Sequence, residues 1–141
     1  MKKHNFRKSR FTLIEVVVVI IILVTLASIA TPIYLNYVKK ANIGAATTQI
    51  KLLEDALTGY KLDVGSYPES LAGLVENTSQ SAKWDGPYIK PAVPKDPWGN
   101  AYVYTCPGEH SSDFDIVCYG ADGQPGGTGE NADITNYVES K

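Results

Sequence analysis

The hydropathy of this chain changes character twice along its length. Residues 16–30 contain only two polar side chains, Thr25 and Ser28. Extended to Leu35, the block reaches the roughly 20 residues that a helix needs to cross a hydrocarbon core. Lys39 and Lys40 then close it. Beyond them Ile43, Ala46, Ile50, Leu53, Leu57 and Tyr60 recur at spacings of three and four, with polar residues between. That pattern predicts an amphipathic helix whose stripe packs on a core. Gly65 and Pro68 end it. Together the two patterns predict one helix from Phe11 to Tyr60, roughly 75 Å long at 1.5 Å per residue. Pro32 is expected to bend or locally melt that helix, because it lacks an amide donor.

The remainder reads as a small head. Residues 69–77 suit a short helix with Leu71, Leu74 and Val75 inward, and 78–83 a polar loop. Pro87, Pro91, Pro94 and Pro97 exclude regular helix from the next stretch, where Trp84 and Trp98 are expected as packing aromatics. Residues 101–106 and 114–119 are rich in strand formers, and 107–113 suits a hairpin loop. If the strands pair antiparallel, Cys106 and Cys118 can lie opposite one another. Outside the cytoplasm a disulfide is then expected, against the alternative of two buried free thiols.

Residues 119–134 hold five glycines. Two readings stand: a solvated loop, or a loop organised by a cation. Ca²⁺ takes six to eight oxygen ligands, and Asp122, Glu130, Asn131 and Asp133 supply side-chain oxygen. Asp122 and Asp133 have the first-to-last spacing of an EF-hand. Gln124 and Gly126 at its third and fifth positions, and Asp rather than Glu at its last, exclude that motif.

Charge adds an orientation. The net charge is −2, but five of the thirteen basic residues (Lys2, Lys3, Arg7, Lys8, Arg10) lie among the first ten, which contain no acid. The remainder has eight basic against fifteen acidic residues, or −7. An acidic body disfavours nucleic-acid binding. The cationic leader puts the start of the chain in the cytoplasm and the body outside it. A secretory signal peptide is the competing reading, with residues 27–30 as the small-residue cleavage site. The length of the apolar run and Glu15 at its leading edge count against it. A carboxylate at the centre of a membrane helix costs about 2.5–3.5 kcal/mol, less near an end. Glu15 is therefore either a headgroup-level residue or a functional one.

The segment Phe11-Thr12-Leu13-Ile14-Glu15-Val16, behind a short basic leader and ahead of an apolar helix, resembles the class III signal of type IV pilins and pseudopilins. The resemblance implies cleavage by a prepilin peptidase between Arg10 and Phe11, and N-methylation of Phe11. It also implies that Glu15 pairs with the N-terminal amine of a neighbouring subunit during assembly. A buried carboxylate is tolerable where it meets a cation. One position departs from the family: Arg10 stands where the family has Gly, Ala or Ser, and a bulky cation there works against cleavage. Tyr60-Lys-Leu-Asp-Val-Gly-Ser-Tyr-Pro68, and the run from Gly86-Pro-Tyr-Ile-Lys90 through Pro94-Lys-Asp-Pro-Trp-Gly-Asn100 to Tyr102, are similar to the major pseudopilins of type II secretion systems. On that likeness the tail is their calcium loop, with Asp122 and Asp133 as side-chain ligands and the carbonyls of Tyr119 and Gln124 beside them. Relatives carry two adjacent acids late in the loop. Ala132 replaces the first here, which leaves Glu130 as a further candidate.

The implied fold is α+β and type IV pilin-like: a long N-terminal helix on a head with a short antiparallel sheet. It divides into a leader (1–10), a transmembrane and filament-core half-helix (11–35) and a periplasmic head (36–141). No catalytic constellation accompanies it. His4 and His110 are isolated, the glycine-rich tail lacks a P-loop Lys, and zinc spacing is missing.

The expected function is the major subunit of a type II secretion pseudopilus, a homo-oligomeric helical filament rising from the inner membrane to drive export of folded proteins. Its partners would be minor pseudopilins, the inner-membrane assembly platform, the prepilin peptidase and lipid. A pilin of a surface filament is the second reading; the calcium-type tail without a C-terminal disulfide loop favours secretion. A membrane-anchored periplasmic binding domain or enzyme is the third, and would make Glu15 dispensable.

Overall fold

The computed structural model describes residues 11–110 and 113–138. The basic leader, with Arg10 and His4, lies outside the described residues. Two units are compact in themselves, one up to Val38 and the other from Lys39 onward.

One helix, α1 (Leu13–Val64), carries both sequence patterns. It ends four residues beyond Tyr60, where Gly65 takes a positive φ of 97° and donates its amide to the Lys61 carbonyl at 2.8 Å. A left-handed glycine in that position is a common helix stop. The expected local melting at Pro32 does not occur, and the helical assignment runs through it. Proline costs one i→i−4 bond, to the Ser28 carbonyl, while the flanking turns remain intact. Thr25, Ser28 and Thr31 turn their hydroxyls back onto carbonyls of their own helix, at 2.7–3.0 Å. No hydroxyl in that stretch then depends on water for a partner.

The amphipathic half behaves as its spacing predicts. Ala46, Ile50, Leu53, Leu57 and Tyr60 are all buried, and Ile43 is half-buried. The five buried residues form one core with Leu71, Leu74, Tyr102, Phe114, Ile116 and Cys118. Trp84 and Trp98 pack against the edge of that core, as packing aromatics. The short helix expected over 69–77 shrinks to a 3-10 turn, Leu71–Leu74, with Leu71 and Leu74 inward.

The sheet is antiparallel in the order β1-β2-β3: β1 (Val103–Thr105), β2 (Asp115–Cys118) and β3 (Ile134–Thr135). β3 was not foreseen from the sequence, since two residues after a glycine run leave no alternation to read. It pairs Ile134 with Cys118 and Thr135 with Val117.

The register corrects the disulfide. β1 and β2 pair Val103 with Val117 and Thr105 with Asp115. Continued one residue each way, this sets Cys118 opposite Tyr102 and Cys106 opposite Phe114. The two cysteines share a face but are offset by four residues along β1, about 13 Å at 3.3 Å per residue. A disulfide needs Cα atoms within about 7 Å. Both thiols are free, with Cys118 buried and Cys106 half-buried.

Leu57→Ala is expected to lower the unfolding free energy by about 2–5 kcal/mol, the usual cost of a buried Leu→Ala cavity. Urea titration of the purified chain followed by far-ultraviolet circular dichroism measures it. Thr58→Ala, exposed one position away, should shift the midpoint much less.

Candidate functional site

Two places carry the candidate chemistry. The first is the start of α1. Thr12 precedes the first helical residue, and Glu15 lies in the first turn. The Glu15 amide donates to Thr12 Oγ1 at 3.3 Å, and the Thr12 amide donates to Glu15 Oε2 at 3.5 Å. This reciprocal pair is a capping box, which satisfies two amides that a helix start leaves orphaned. Its Thr-x-x-Glu signature stands at residues 12–15, ahead of the apolar run and inside the segment that resembles the class III signal. Glu15 thus has a partner within its own chain. The apolar side chains after it have little cover among the described residues: from Val16 to Leu26 every large hydrophobic is at least 41% exposed. Within α1 lies a segment long and apolar enough to cross a membrane.

The second place is the tail loop between β2 and β3. Positive-φ glycines shape it, and two of them admit no other residue. A Cβ at Gly120 would stand 2.6 Å from the Glu130 carbonyl, and one at Gly127 2.5 Å from that of Asn131. The two arms of the loop therefore approach closely, and the Ala121 amide bonds the Glu130 carbonyl across them at 3.0 Å. Asp133 accepts the Gly126 amide on both carboxylate oxygens, at 3.0 and 2.9 Å. Asp122 Oδ1 accepts the Gln124 amide at 3.2 Å. Gly126, Gly127, Ala132, Asp133 and Thr135 line an open cavity of about 330 Å³.

Asp122, Asp133 and the loop's main-chain carbonyls are oxygen donors, the kind that Ca²⁺ takes. Among the described residues, however, no three His, Cys, Asp or Glu side chains converge. Main-chain oxygens, such as those of Tyr119 and Gln124, would have to complete a shell. Glu130, named from the sequence as a further ligand, is already engaged within the chain. Its Oε1 accepts the Trp98 indole N–H at 3.0 Å, and its Oε2 lies 3.6 Å from Lys39 Nζ.

Two buried acids escaped the sequence reading. Asp96 Oδ1 accepts the amides of Trp98 at 3.0 Å and Asn100 at 2.8 Å, and its Oδ2 accepts the Cys118 thiol at 3.3 Å. The Asp-Pro-x-Gly-Asn sequence is the signal that could have found it, since Asp favours such side-chain-closed turns. Asp115 accepts the amides of Glu109 and His110, both at 2.8 Å, and its Oδ2 lies 3.1 Å from His110 Nδ1. The His110 ring stacks on Tyr137 at 4.3 Å. Burial, with the Asp96 contact adding to it, pushes the Cys118 thiol up to about 11 against the opposing backbone bond at Gly120. Burial likewise pushes the Tyr102 phenol up to about 12.

A capped apolar helix that continues into the core of a small antiparallel head is the build of a type IV pilin-like subunit. Comparison with known proteins narrows that class. Residues 33–137 match the family described as type II secretion system (T2SS), protein G. The chain is 44% identical to type II secretion system core protein G of Vibrio cholerae, covering 97% of this chain and 96% of that protein. Against the Pseudomonas aeruginosa protein of the same name it is 40% identical, over 93% and 96%. The solved major pseudopilin from the type 2 secretion system of enterohaemorrhagic Escherichia coli is 35% identical, with a TM-score of 0.55. The match covers 69% of this chain and 87% of that one. The chain belongs to the type II secretion system protein G family, whose members are structural pseudopilin subunits.

The buried thiol and phenol set an alkaline limit. Both hold their protons more tightly in the folded state. Their contribution is full below about pH 9, the thiol's ordinary value, and is lost as pH rises through about 11, with Tyr102 extending the loss toward 12. Melting temperature against pH should fall across that window, and less steeply in Cys118→Ala. At neutral pH iodoacetamide should label Cys106 first and leave Cys118 unmodified until the chain unfolds. Cys118 reacting as fast as Cys106 would contradict the packing.

Proposed function

We propose that this chain is the major subunit of a type II secretion pseudopilus, held by α1 in the bacterial inner membrane as a single span. Its N-terminus faces the cytoplasm and its head the periplasm. The prepilin peptidase removes the leader between Arg10 and Phe11, Phe11 is N-methylated, and Glu15 receives the amine of a neighbouring subunit as the filament grows. Minor pseudopilins and the inner-membrane assembly platform are the partners in that growth.

The observation that carries this reading is α1 itself. Its second half is half of the head's core, and its first half presents large apolar side chains on every side. Fully burying one such side chain contributes about 1.5–3 kcal/mol. More than a dozen of them far outweigh the few kcal/mol that Glu15 costs near a membrane boundary. Lipid supplies the cover first, and packed helices of other subunits supply it in the filament.

The tail loop binds Ca²⁺ in this reading, with Asp122 and Asp133 as side-chain ligands and the carbonyls of Tyr119 and Gln124 completing the set. The cation would neutralise two carboxylates and fix the two arms of a glycine-rich loop. Support comes from the oxygen donor set and from the close approach that Gly120 and Gly127 permit.

Mass spectrometry of the membrane fraction tests processing: the mature chain should begin at methylated Phe11, and an intact leader would show that Arg10 blocks the cut. Glu15→Ala should leave membrane insertion intact and abolish pseudopili in a secretion assay. Unchanged secretion would reduce α1 to a simple anchor. Adding EDTA to the purified chain should lower its melting temperature by several degrees, and Asp133→Asn should remove that response.

A further inference from the structure

The tail loop has a mount. The turn over residues 96–100 is rigid in itself: Asp96 closes it onto the amides of Trp98 and Asn100, the Asp96 amide bonds the Asn100 carbonyl at 2.9 Å, and Gly99 turns the chain at φ 96°. Three side chains of this turn reach the loop. Asp96 takes the thiol of Cys118 where β2 ends, Asn100 Nδ2 donates to the Gly120 carbonyl at 3.2 Å on the outgoing arm, and Trp98 Nε1 donates to Glu130 on the returning arm. Glu130 is the joint of this assembly. Its carbonyl ties the returning arm to Ala121, one carboxylate oxygen meets the indole, and the other faces Lys39 on α1.

We propose that Glu130 is a positioning residue for the cation loop: it fastens the returning arm to Trp98 and so aligns Asp133, and it leaves ligation to Asp122, Asp133 and the main chain. This rests on the calcium reading above. The Lys39 contact contributes little, because the lysine side chain is 53% exposed and exposed ion pairs are weak. The indole bond is part-buried and directional, so it sets the geometry. Partners that orient ligands from behind typically change metal affinity by about 10–100-fold when removed. What the bond requires of Glu130 is an acceptor oxygen, not a charge.

Calcium titration calorimetry on the full chain in detergent micelles separates the roles. Glu130→Ala should weaken Ca²⁺ binding by about tenfold or more, and Trp98→Phe, which keeps an aromatic ring but loses the donor and part of the indole, should weaken it comparably. Glu130→Gln should restore affinity to within about threefold of the parent, since its amide oxygen still accepts the indole N–H. A ligand role gives the opposite pattern: Glu130→Gln falls as far as Glu130→Ala, and Trp98→Phe binds like the parent. Either of those two results overturns the proposal while leaving calcium in place. A parent chain that binds no Ca²⁺ overturns the calcium reading and this one with it. Glu130 is partly exposed, so the Ala and Gln variants should fold; circular dichroism checks Trp98→Phe, and the Glu130 pair decides the question without it.

Discussion

The apolar surface of α1 between Leu13 and Val38 finds little cover among the described residues, and the rest of the molecule depends on that deficit being met from outside. Its large side chains are mostly between two-fifths and four-fifths exposed. At about 1.5–3 kcal/mol per buried residue the deficit runs to tens of kcal/mol, several times the 5–15 kcal/mol that holds a typical domain folded. Such a segment does not persist in water. The internal bonding of Thr25, Ser28 and Thr31 and the capping box at Thr12 and Glu15 leave few polar groups in need of water there. Little in the segment resists transfer into lipid, or from lipid into a bundle of like helices.

The same helix is also the head's largest core element. The sheet is short, with strands of three, four and two residues. A sheet of this size does not stand alone. It is held by the stripe from Ala46 to Tyr60, and by bonds such as Tyr104 Oη to the Pro68 carbonyl at 2.9 Å. Anchor and head core are therefore covalently one element. A subunit passing from membrane to filament can exchange the surroundings of one half while the core around the other half stays packed.

Legibility of these features followed the strength of the pattern. Both halves of α1 were read from hydropathy, the first from an unbroken apolar run and the second from a spacing that persists over several turns. The resemblance supplied what periodicity cannot, namely the family, which the comparisons bear out. Where the sequence misled, the cause was local. Of the two effects expected at Pro32, a bend or local melting, the melting does not occur, since α1 runs through it. The cysteine pairing assumed a symmetric hairpin, but β1 and β2 pair with a tighter register. Two-residue β3 had no period to show. Asp96 carried a turn signal in Asp-Pro-x-Gly-Asn, whereas Asp115 sits in a strand run and its role shows only in the amides that fold back onto it.

Under the proposal above, Glu130 belongs to the cation loop without being one of its ligands. Composition groups it with Asp122 and Asp133 as another oxygen donor in a glycine-rich segment. The fold gives the three acids different surroundings: Asp133 faces the Gly126 amide, Asp122 the Gln124 amide, and Glu130 the Trp98 indole. An aspartate carboxylate stays close to its own backbone and shapes the loop locally. The longer glutamate side chain reaches out of the loop to a turn thirty-two residues earlier in the chain. That turn is bonded through Asp96 to Cys118, a core residue sharing its cluster with Leu53 and Leu57 of α1. The tail loop is thus linked to α1 by side-chain bonds as far as Cys118 and by core packing beyond it.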